Sequence, residues 1–205
     1  MNAFPRQGIY AITDGRPDGL IDRTAQAIAG GVAAIQYRDL TNDHARRQAE
    51  AGALASLCRR HGIPLIIDHD VALAKSVGAD GVHLSQADGS PQRVRDELGA
   101  GAIVGVSCYA SAELAQAAAL AGASYVSFGA FFPSPTKPGA GSAPLALLRA
   151  TKGLEVPRVA IGGITADNGR PLLEAGADFL ASVSAVFGTD DPRAAATRLA
   201  ALFTA

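Results

Sequence analysis

Gly78-Ala79-Asp80-Gly81-Val82, Gly122-Ala123-Ser124-Tyr125-Val126 and Gly176-Ala177-Asp178-Phe179-Leu180 are three copies of one join, and Gly30-Gly31-Val32-Ala33-Ala34 is a looser fourth. In each copy a glycine closes a stretch of helix-forming residues and β-type residues follow within a few positions. Glycine takes the left-handed conformation that ends a helix without a steric penalty, so the join reads as a helix stop followed by a strand start. Working outward from these joins, short apolar runs rich in Ile and Val fall at 9–14, 34–39, 64–68, 81–85, 103–108, 125–130, 158–163 and 179–184. They are apolar on both parities, the pattern of strands buried on both faces of a parallel sheet. Ala- and Leu-rich stretches lie between them, and Ser90-Pro91 and Asp191-Pro192 have the N-cap-plus-proline form of helix starts. Eight strand–helix units in 205 residues predict a (β/α)₈ TIM barrel. An open doubly wound sheet is the alternative, but it normally carries fewer strands at this length. No Ser/Gly linker or shift in composition divides residues 1–205, which predicts a single domain.

Composition narrows the function classes. With 48% hydrophobic and 18% charged residues the chain is neither disordered nor a coiled coil. Its 18 Lys+Arg against 19 Asp+Glu leave a net charge of −1, which excludes nucleic acid or anionic membrane held by bulk charge but not a local basic site. No apolar run approaches the ~18 residues of a membrane span, and residues 1–8 lack the apolar core of a secretory signal. Two cysteines, Cys58 and Cys108, form no disulfide framework and lack metal-type spacing. The expectation is a reduced, cytoplasmic protein.

In a barrel the active site lies at the carboxyl ends of the strands, and there the polar residues gather: Thr13-Asp14, Gln36 to Asp39, Asp68-His69-Asp70, Ser85 to Asp88, Ser107-Cys108-Tyr109, Gly162-Gly163 and Ser182-Val183-Ser184. Gln36 and Arg38 are two apart and share a strand face, expected to be the interior. A charge there needs an anion, supplied either by a ligand or by an ion pair with Asp14, Asp39 or Asp68. Ile161-Gly162-Gly163-Ile164-Thr165 lies between a strand and a helix, and in barrels the loops after strands 7 and 8 commonly bind phosphate. A tight turn is the plainer reading of the two glycines. The long stretch 131–142 offers Ser134, Thr136 and Lys137 as phosphate contacts and Gly139 and Gly141 as hinges, against the reading of a Pro-rich surface loop. Asp68, His69, Asp70 and Asp88 form a candidate Mg²⁺ set, with solvated loop aspartates the plainer alternative. His83 is mid-strand and reads as a hydrogen-bonded core residue, and Cys108 as a small core residue.

Tyr10-Ala11-Ile12-Thr13-Asp14, Gln36-x-Arg38, Gly81-Val82-His83-Leu84-Ser85-Gln86-Ala87-Asp88, Gly105-Val106-Ser107, Phe132-Pro133-Ser134-Pro135-Thr136-Lys137 and Ile161-Gly162-Gly163-Ile164 occur in this order. With these motifs in register the chain resembles the thiamine-phosphate synthase family over essentially its whole length. The resemblance implies a (β/α)₈ barrel that joins hydroxymethylpyrimidine diphosphate to a thiazole phosphate, releases pyrophosphate and uses Mg²⁺. It implies that Gln36, Arg38, Ser107 and Lys137 hold the pyrimidine diphosphate, with Asp68 beside them, and that Arg38, Lys137 and Ser107 carry catalysis. Ser134, Thr136, Gly163, Val183 and Ser184 would hold the thiazole phosphate, and Asp88 a metal ion. The expected partners are small phosphorylated molecules, with a homodimer as the assembly allowed.

The chain departs from the family pattern at three places. Position 40 is Leu where the pattern Gln-x-Arg-x-Lys has lysine, and Asp68-His69 stands where the family has Asn-Asp. Histidine suits Mg²⁺ poorly, so Asp68 or Asp70 is expected to replace the usual aspartate at His69. Three other readings compete. The related thiazole tautomerases use a histidine after strand 5, where this chain has Ser107-Cys108-Tyr109. A phosphosugar isomerase would need an acid/base pair that is not evident. A degenerate paralogue would bind phosphorylated ligands without turnover.

Overall fold

The computed structural model describes residues 4–133 and 143–204. Eight strands, β1 (Gly8–Ile12), β2 (Val32–Tyr37), β3 (Leu65–Asp68), β4 (Gly81–Leu84), β5 (Ile103–Ser107), β6 (Tyr125–Phe128), β7 (Arg158–Ile161) and β8 (Phe179–Ser182), alternate with helices. These are α1 (Leu20–Ala29), α2 (His44–His61), α3 (Val71–Val77), α4 (Pro91–Leu98), α5 (Ala112–Leu120), α6 (Leu145–Ala150), α7 (Arg170–Glu174), α8 (Ser184–Phe187) and α9 (Pro192–Ala200). Each strand pairs in parallel with the next, and β8 returns to β1, closing the barrel. The (β/α)₈ expectation is met, and every expected strand is present. The short α8, directly after β8, is the one helix the sequence pattern did not announce, because four residues carry no period.

The repeated join has a double job at the amino-terminal rim. Its glycine ends the helix with positive φ, 64° at Gly78, 86° at Gly122 and 107° at Gly176. Its third residue then clamps the strand before it. Asp80 accepts from the Leu65 N–H at 3.0 Å, Ser124 from Val104 at 3.0 Å and Asp178 from Arg158 at 2.8 Å. In each case the backbone N–H of the same residue returns a bond to the carbonyl of its partner, at 2.7–3.0 Å. Strand starts whose amide groups would lack partners are thereby satisfied in pairs. A short polar side chain recurs at this position for that reason.

Helix starts, which follow the carboxyl ends of the strands, are capped by side chains. Asp43, Asp70, Ser90, Ser111 and Asp191 each accept the N–H three residues on, and Pro91 and Pro192 occupy the first turn.

Two apolar clusters fill the space between sheet and helices, and a third fills the barrel itself. Tyr10, Ile66, Ile103, Tyr125, Val159 and Phe179 make up most of this interior, with Ala34 and Ala181 leaving room for the rings. Phe4 closes the amino-terminal mouth, stacked on Tyr125 at 4.2 Å between ring centroids and tilted on Phe179 at 4.8 Å. The lower half of the barrel is therefore dry, and any ligand must enter from the opposite end. Among the described residues no helix is long and apolar enough to cross a membrane.

Both cysteines are reduced and buried, Cys58 on α2 and Cys108 after β5, and burial pushes each thiol up to about 12. At pH 8 only about one thiol in 10⁴ is then ionised, and the thiolate is the reactive form. Native protein is expected to give no fast reaction with a disulfide reagent, and denatured protein two equivalents. A fast native equivalent would show that one thiol is open to solvent.

Candidate functional site

At the carboxyl ends of the strands lies a cavity of about 540 Å³. Its floor and apolar walls come from Ile12, Ile161, Ile164, Ala130 and Ala181, and its polar groups stand on opposite sides. Gln36, Arg38 and Asp68, from β2 and β3, line one side with Ser107 from β5 beside them, whereas Gly162, Gly163, Val183 and Ser184 follow β7 and β8. The structure thus gathers Gln36, Arg38, Asp68, Ser107, Gly163, Val183 and Ser184, seven residues from distant parts of the sequence, around one space. Ser134, Thr136 and Lys137, with Gly139 and Gly141, lie outside the described residues.

Arg38 is held in place from its backbone. Its N–H donates to Thr13 Oγ1 at 2.8 Å and its carbonyl accepts from the same hydroxyl at 3.1 Å, tying the ends of β1 and β2 together. Of the three aspartates that might neutralise it, Asp14 is taken by Arg16 and Arg23 and Asp39 by Arg46. Burial alone would raise the carboxyls of Asp14 and Asp39, but the hydrogen bonds each accepts, from Arg23 and Arg16 at Asp14 and from Thr41 and Arg46 at Asp39, outweigh it and lower both below the usual range. Only Asp68 faces Arg38, with Nε to Oδ2 at 3.5 Å, while Gln36 Nε2 donates to Asp68 Oδ1 at 2.7 Å. Among the described residues this one long contact is the sole ion pair of Arg38, which leaves most of its donor fork turned to the cavity.

The loop after β7 owes its glycines to crowding as well as to conformation. Gly163 has φ of 60°, and a Cβ built on it would lie 2.3 Å from the Pro133 carbonyl oxygen and 2.9 Å from Phe132 Cβ. The chain after β6 passes directly over this turn, with the Phe131 and Phe132 N–H groups donating to Ile161 and Gly162 carbonyls at 3.1 Å. On the same side of the cavity Val183 caps α8, whose first N–H groups have no partner within the helix. A short extra helix after β8, beside the loop after β7, is the arrangement with which barrels commonly bind phosphate.

Asp88 faces a neighbouring hollow of about 580 Å³, and Leu40, Asp68 and His69 form the wall shared by the two spaces. Asp88 Oδ2 accepts from the Ser85 N–H at 2.6 Å, the Ser85 hydroxyl at 2.7 Å and His69 Nδ1 at 2.5 Å. Burial raises its carboxyl, but these bonds outweigh burial and hold it below the usual range. His69, with φ of 60°, bridges to the second carboxylate, with Nε2 at 3.5 Å from Asp68 Oδ1. Asp70 is engaged elsewhere: Oδ1 caps α3 at Leu73 N (2.9 Å) and Oδ2 pairs with Arg47 at 2.8 Å. Of the two aspartates flanking position 69, Asp68 lies against the His69 ring, whereas Asp70 turns to α3 and Arg47. No group of three or more ligating side chains forms a ready metal cage among the described residues.

His83 is buried and hydrogen-bonded as the sequence reading expected, but that reading missed that it also lines the cavity from β4, bonding Ser107 Oγ at 2.9 Å. The available signal was parity: His83 pairs in register with Asp68 on β3 and with Gly105 on β5, so it shares their inward face. Leu40, on the wall shared by the two spaces, is 74% exposed, a long apolar side chain in water.

The closed parallel barrel, dry below and polar at its carboxyl end, defines a single-domain (β/α)₈ enzyme with its chemistry in the loops above the strands. Residues 9–186 match the family described as thiamine monophosphate synthase. The chain is 53% identical over 208 residues to a thiamine-phosphate synthase of Thiobacillus denitrificans, covering 100% of this chain and 98% of the relative. It is 50% identical to one of Chromobacterium violaceum, covering 97% of each. Among solved structures it is similar to thiamine phosphate pyrophosphorylase from Pyrococcus furiosus, with a TM-score of 0.87, 32% identity and coverage of 97% and 96%. Likeness to a 3-hexulose-6-phosphate synthase, at 19% identity and a TM-score of 0.68, shows the shared barrel alone. The chain belongs to the thiamine monophosphate synthase family.

Proposed function

We propose that the chain is a transferase of thiamine biosynthesis. It condenses 4-amino-2-methyl-5-hydroxymethylpyrimidine diphosphate with a thiazole phosphate, giving thiamine monophosphate and pyrophosphate. The observation that carries this reading is the two-sided cavity. Arg38 and Ser107 stand on one side, a glycine turn and a helix start on the other, and apolar walls between them suit two flat rings. Loss of pyrophosphate from a benzyl-like carbon leaves a resonance-stabilised cation, which the thiazole nitrogen captures. Such a reaction asks for charge neutralisation on the leaving group and alignment of two reactants, and it needs no nucleophilic side chain. Gln36, Arg38 and Ser107 are the groups assigned to the diphosphate, together with Lys137. Gly163, Val183 and Ser184 are assigned to the thiazole phosphate, with Ser134 and Thr136.

Mg²⁺ fits the residues present. This ion is usually held by one or two carboxylates plus substrate phosphates rather than by a protein cage. Asp68 on the wall shared with the cavity and Asp88 in the adjoining hollow, separated by the width of one imidazole ring, offer two such carboxylates. Bound there, the ion would neutralise charge on the leaving diphosphate. The same reading places the chain in the cytoplasm, acting on small phosphorylated molecules.

The test is pyrophosphate release measured with a coupled assay. Release is expected only with both substrates present, and it should stop with a chelator and return with added Mg²⁺. Tight binding of both substrates without release would instead make the chain a non-catalytic paralogue, the reading that Leu40 and His69 favour. Activity unaffected by chelation would remove the metal from the scheme.

A further inference from the structure

Below the cavity a run of hydrogen bonds descends through the barrel interior. His83 Nε2 lies 2.9 Å from Ser107 Oγ and 3.4 Å from Ser127 Oγ, and His83 Nδ1 lies 3.0 Å from the Tyr125 hydroxyl. Tyr125 OH lies 2.7 Å from Tyr10 OH, where the run ends. Both tyrosines are almost wholly buried, roofed from below by Phe4. Gly105 makes the arrangement possible, since a Cβ there would lie 2.0 Å from Tyr125 Cζ and 2.3 Å from its hydroxyl oxygen.

Proton counting gives the run a direction. Each tyrosine has one proton, and Tyr10 OH has Tyr125 as its only hydrogen-bond partner among the described residues. If Tyr125 donated to Tyr10, the Tyr10 proton would be buried with no acceptor, a costly state. If Tyr10 donates instead, Tyr125 accepts it and sends its own proton to His83 Nδ1. His83 then carries hydrogen on Nε2 and donates to Ser107 Oγ, and every donor along the run has an acceptor. Burial keeps both phenols protonated, with their pKa values raised above the ordinary one, so neither can accept as a phenolate.

We propose that Tyr125 and His83 form a one-way relay, to which Tyr10 only donates from below, that makes Ser107 a hydrogen-bond donor to the anionic substrate. With its lone pair engaged by His83 Nε2–H, the Ser107 hydroxyl is free to aim its proton into the cavity. The opposite tautomer would take that proton for itself and face the anion with an oxygen lone pair. His83 and Tyr125 are thus positioning residues, acting through Ser107. The inference rests on the reading of the cavity as a diphosphate site.

Nitrogen-15 NMR of histidine-labelled protein reads the tautomer directly, without substrate. His83 is expected with hydrogen on Nε2 and a bare Nδ1; hydrogen on Nδ1, or on both nitrogens, overturns the relay. Tyr125→Phe should release the tautomer and weaken binding of inorganic pyrophosphate, measured by calorimetry, by about tenfold. Tyr10→Phe, in which Tyr125 still donates to Nδ1, should keep both the tautomer and the affinity. Unchanged pyrophosphate affinity in a folded Tyr125→Phe, or a lost tautomer in Tyr10→Phe, overturns the proposal. Failure of wild-type protein to release pyrophosphate from the two substrates, with these results in place, would defeat the proposed reaction and leave the relay standing.

Discussion

Arg38→Met is expected to lower kcat/KM for the pyrimidine diphosphate by about 10²–10³-fold, the loss typical of a single donor aimed at developing charge. Methionine keeps the length and apolar packing of the stem and removes only the fork. Part of the loss is binding, since a charge-assisted contact is worth about 1.5–3 kcal/mol, so KM for this substrate should rise as well. KM for the thiazole phosphate should stay near its wild-type value, because Gly163, Val183 and Ser184 stand across the cavity. The fold should tolerate the change: the Arg38–Asp68 contact is long, at 3.5 Å, and Gln36 continues to hold the Asp68 carboxylate. Steady-state kinetics with each substrate varied in turn gives the result, with thermal unfolding as the control. A loss below tenfold would mean that Arg38 does not meet the leaving group.

The second large effect is expected at Gly163→Ala, and it couples stability to one substrate. A left-handed φ of 60° disfavours any side chain, and the new Cβ would meet the Pro133 carbonyl, a backbone atom with no rotamer to yield. Strain and overpacking together should cost about 2–4 kcal/mol. For a domain of this size that lowers Tm by roughly 5–15 °C. Because the strand-7 loop and the chain after β6 must part, the thiazole-phosphate side of the cavity should open and KM for that substrate rise about tenfold or more. Gly52→Ala supplies the contrast, since a Cβ there meets nothing within 4 Å in the middle of α2. That exchange should raise stability by about 0.4–1 kcal/mol and leave both KM values alone. Equal Tm values for the two variants would contradict the crowding at Gly163.

Much of the fold was legible because its causes are local. Glycine stops, side-chain caps and β-branched runs each act within a few residues, and eight repetitions reinforce one another. The expected strand positions agree with β1 to β8 to within two residues at their ends, and helices fill the Ala- and Leu-rich stretches between them. Why the join carries Asp80, Ser124 or Asp178 at one position was not legible, because the partner amide lies on the preceding strand, 15 to 20 residues away. The candidate site was legible as a list of polar strand ends, since a barrel places all of them on one face. Which of them share a cavity was not. Asp88 and Asp70 sit at the same kind of position as Asp68, yet Asp88 faces the adjoining hollow and Asp70 caps α3 against Arg47.

By itself, then, the sequence determined the barrel, its single domain and the side of it that carries polar groups, because spacing and backbone preference are written residue by residue. Closure decided the rest. Whether Arg38 finds Asp14, Asp39 or Asp68, whether a Cβ has room at Gly163, and which way a proton points between Tyr10, Tyr125 and His83 depend on strands that meet only when β8 returns to β1. Ion pairing, steric crowding and hydrogen-bond direction act over a few ångströms, and only the closed barrel sets those distances.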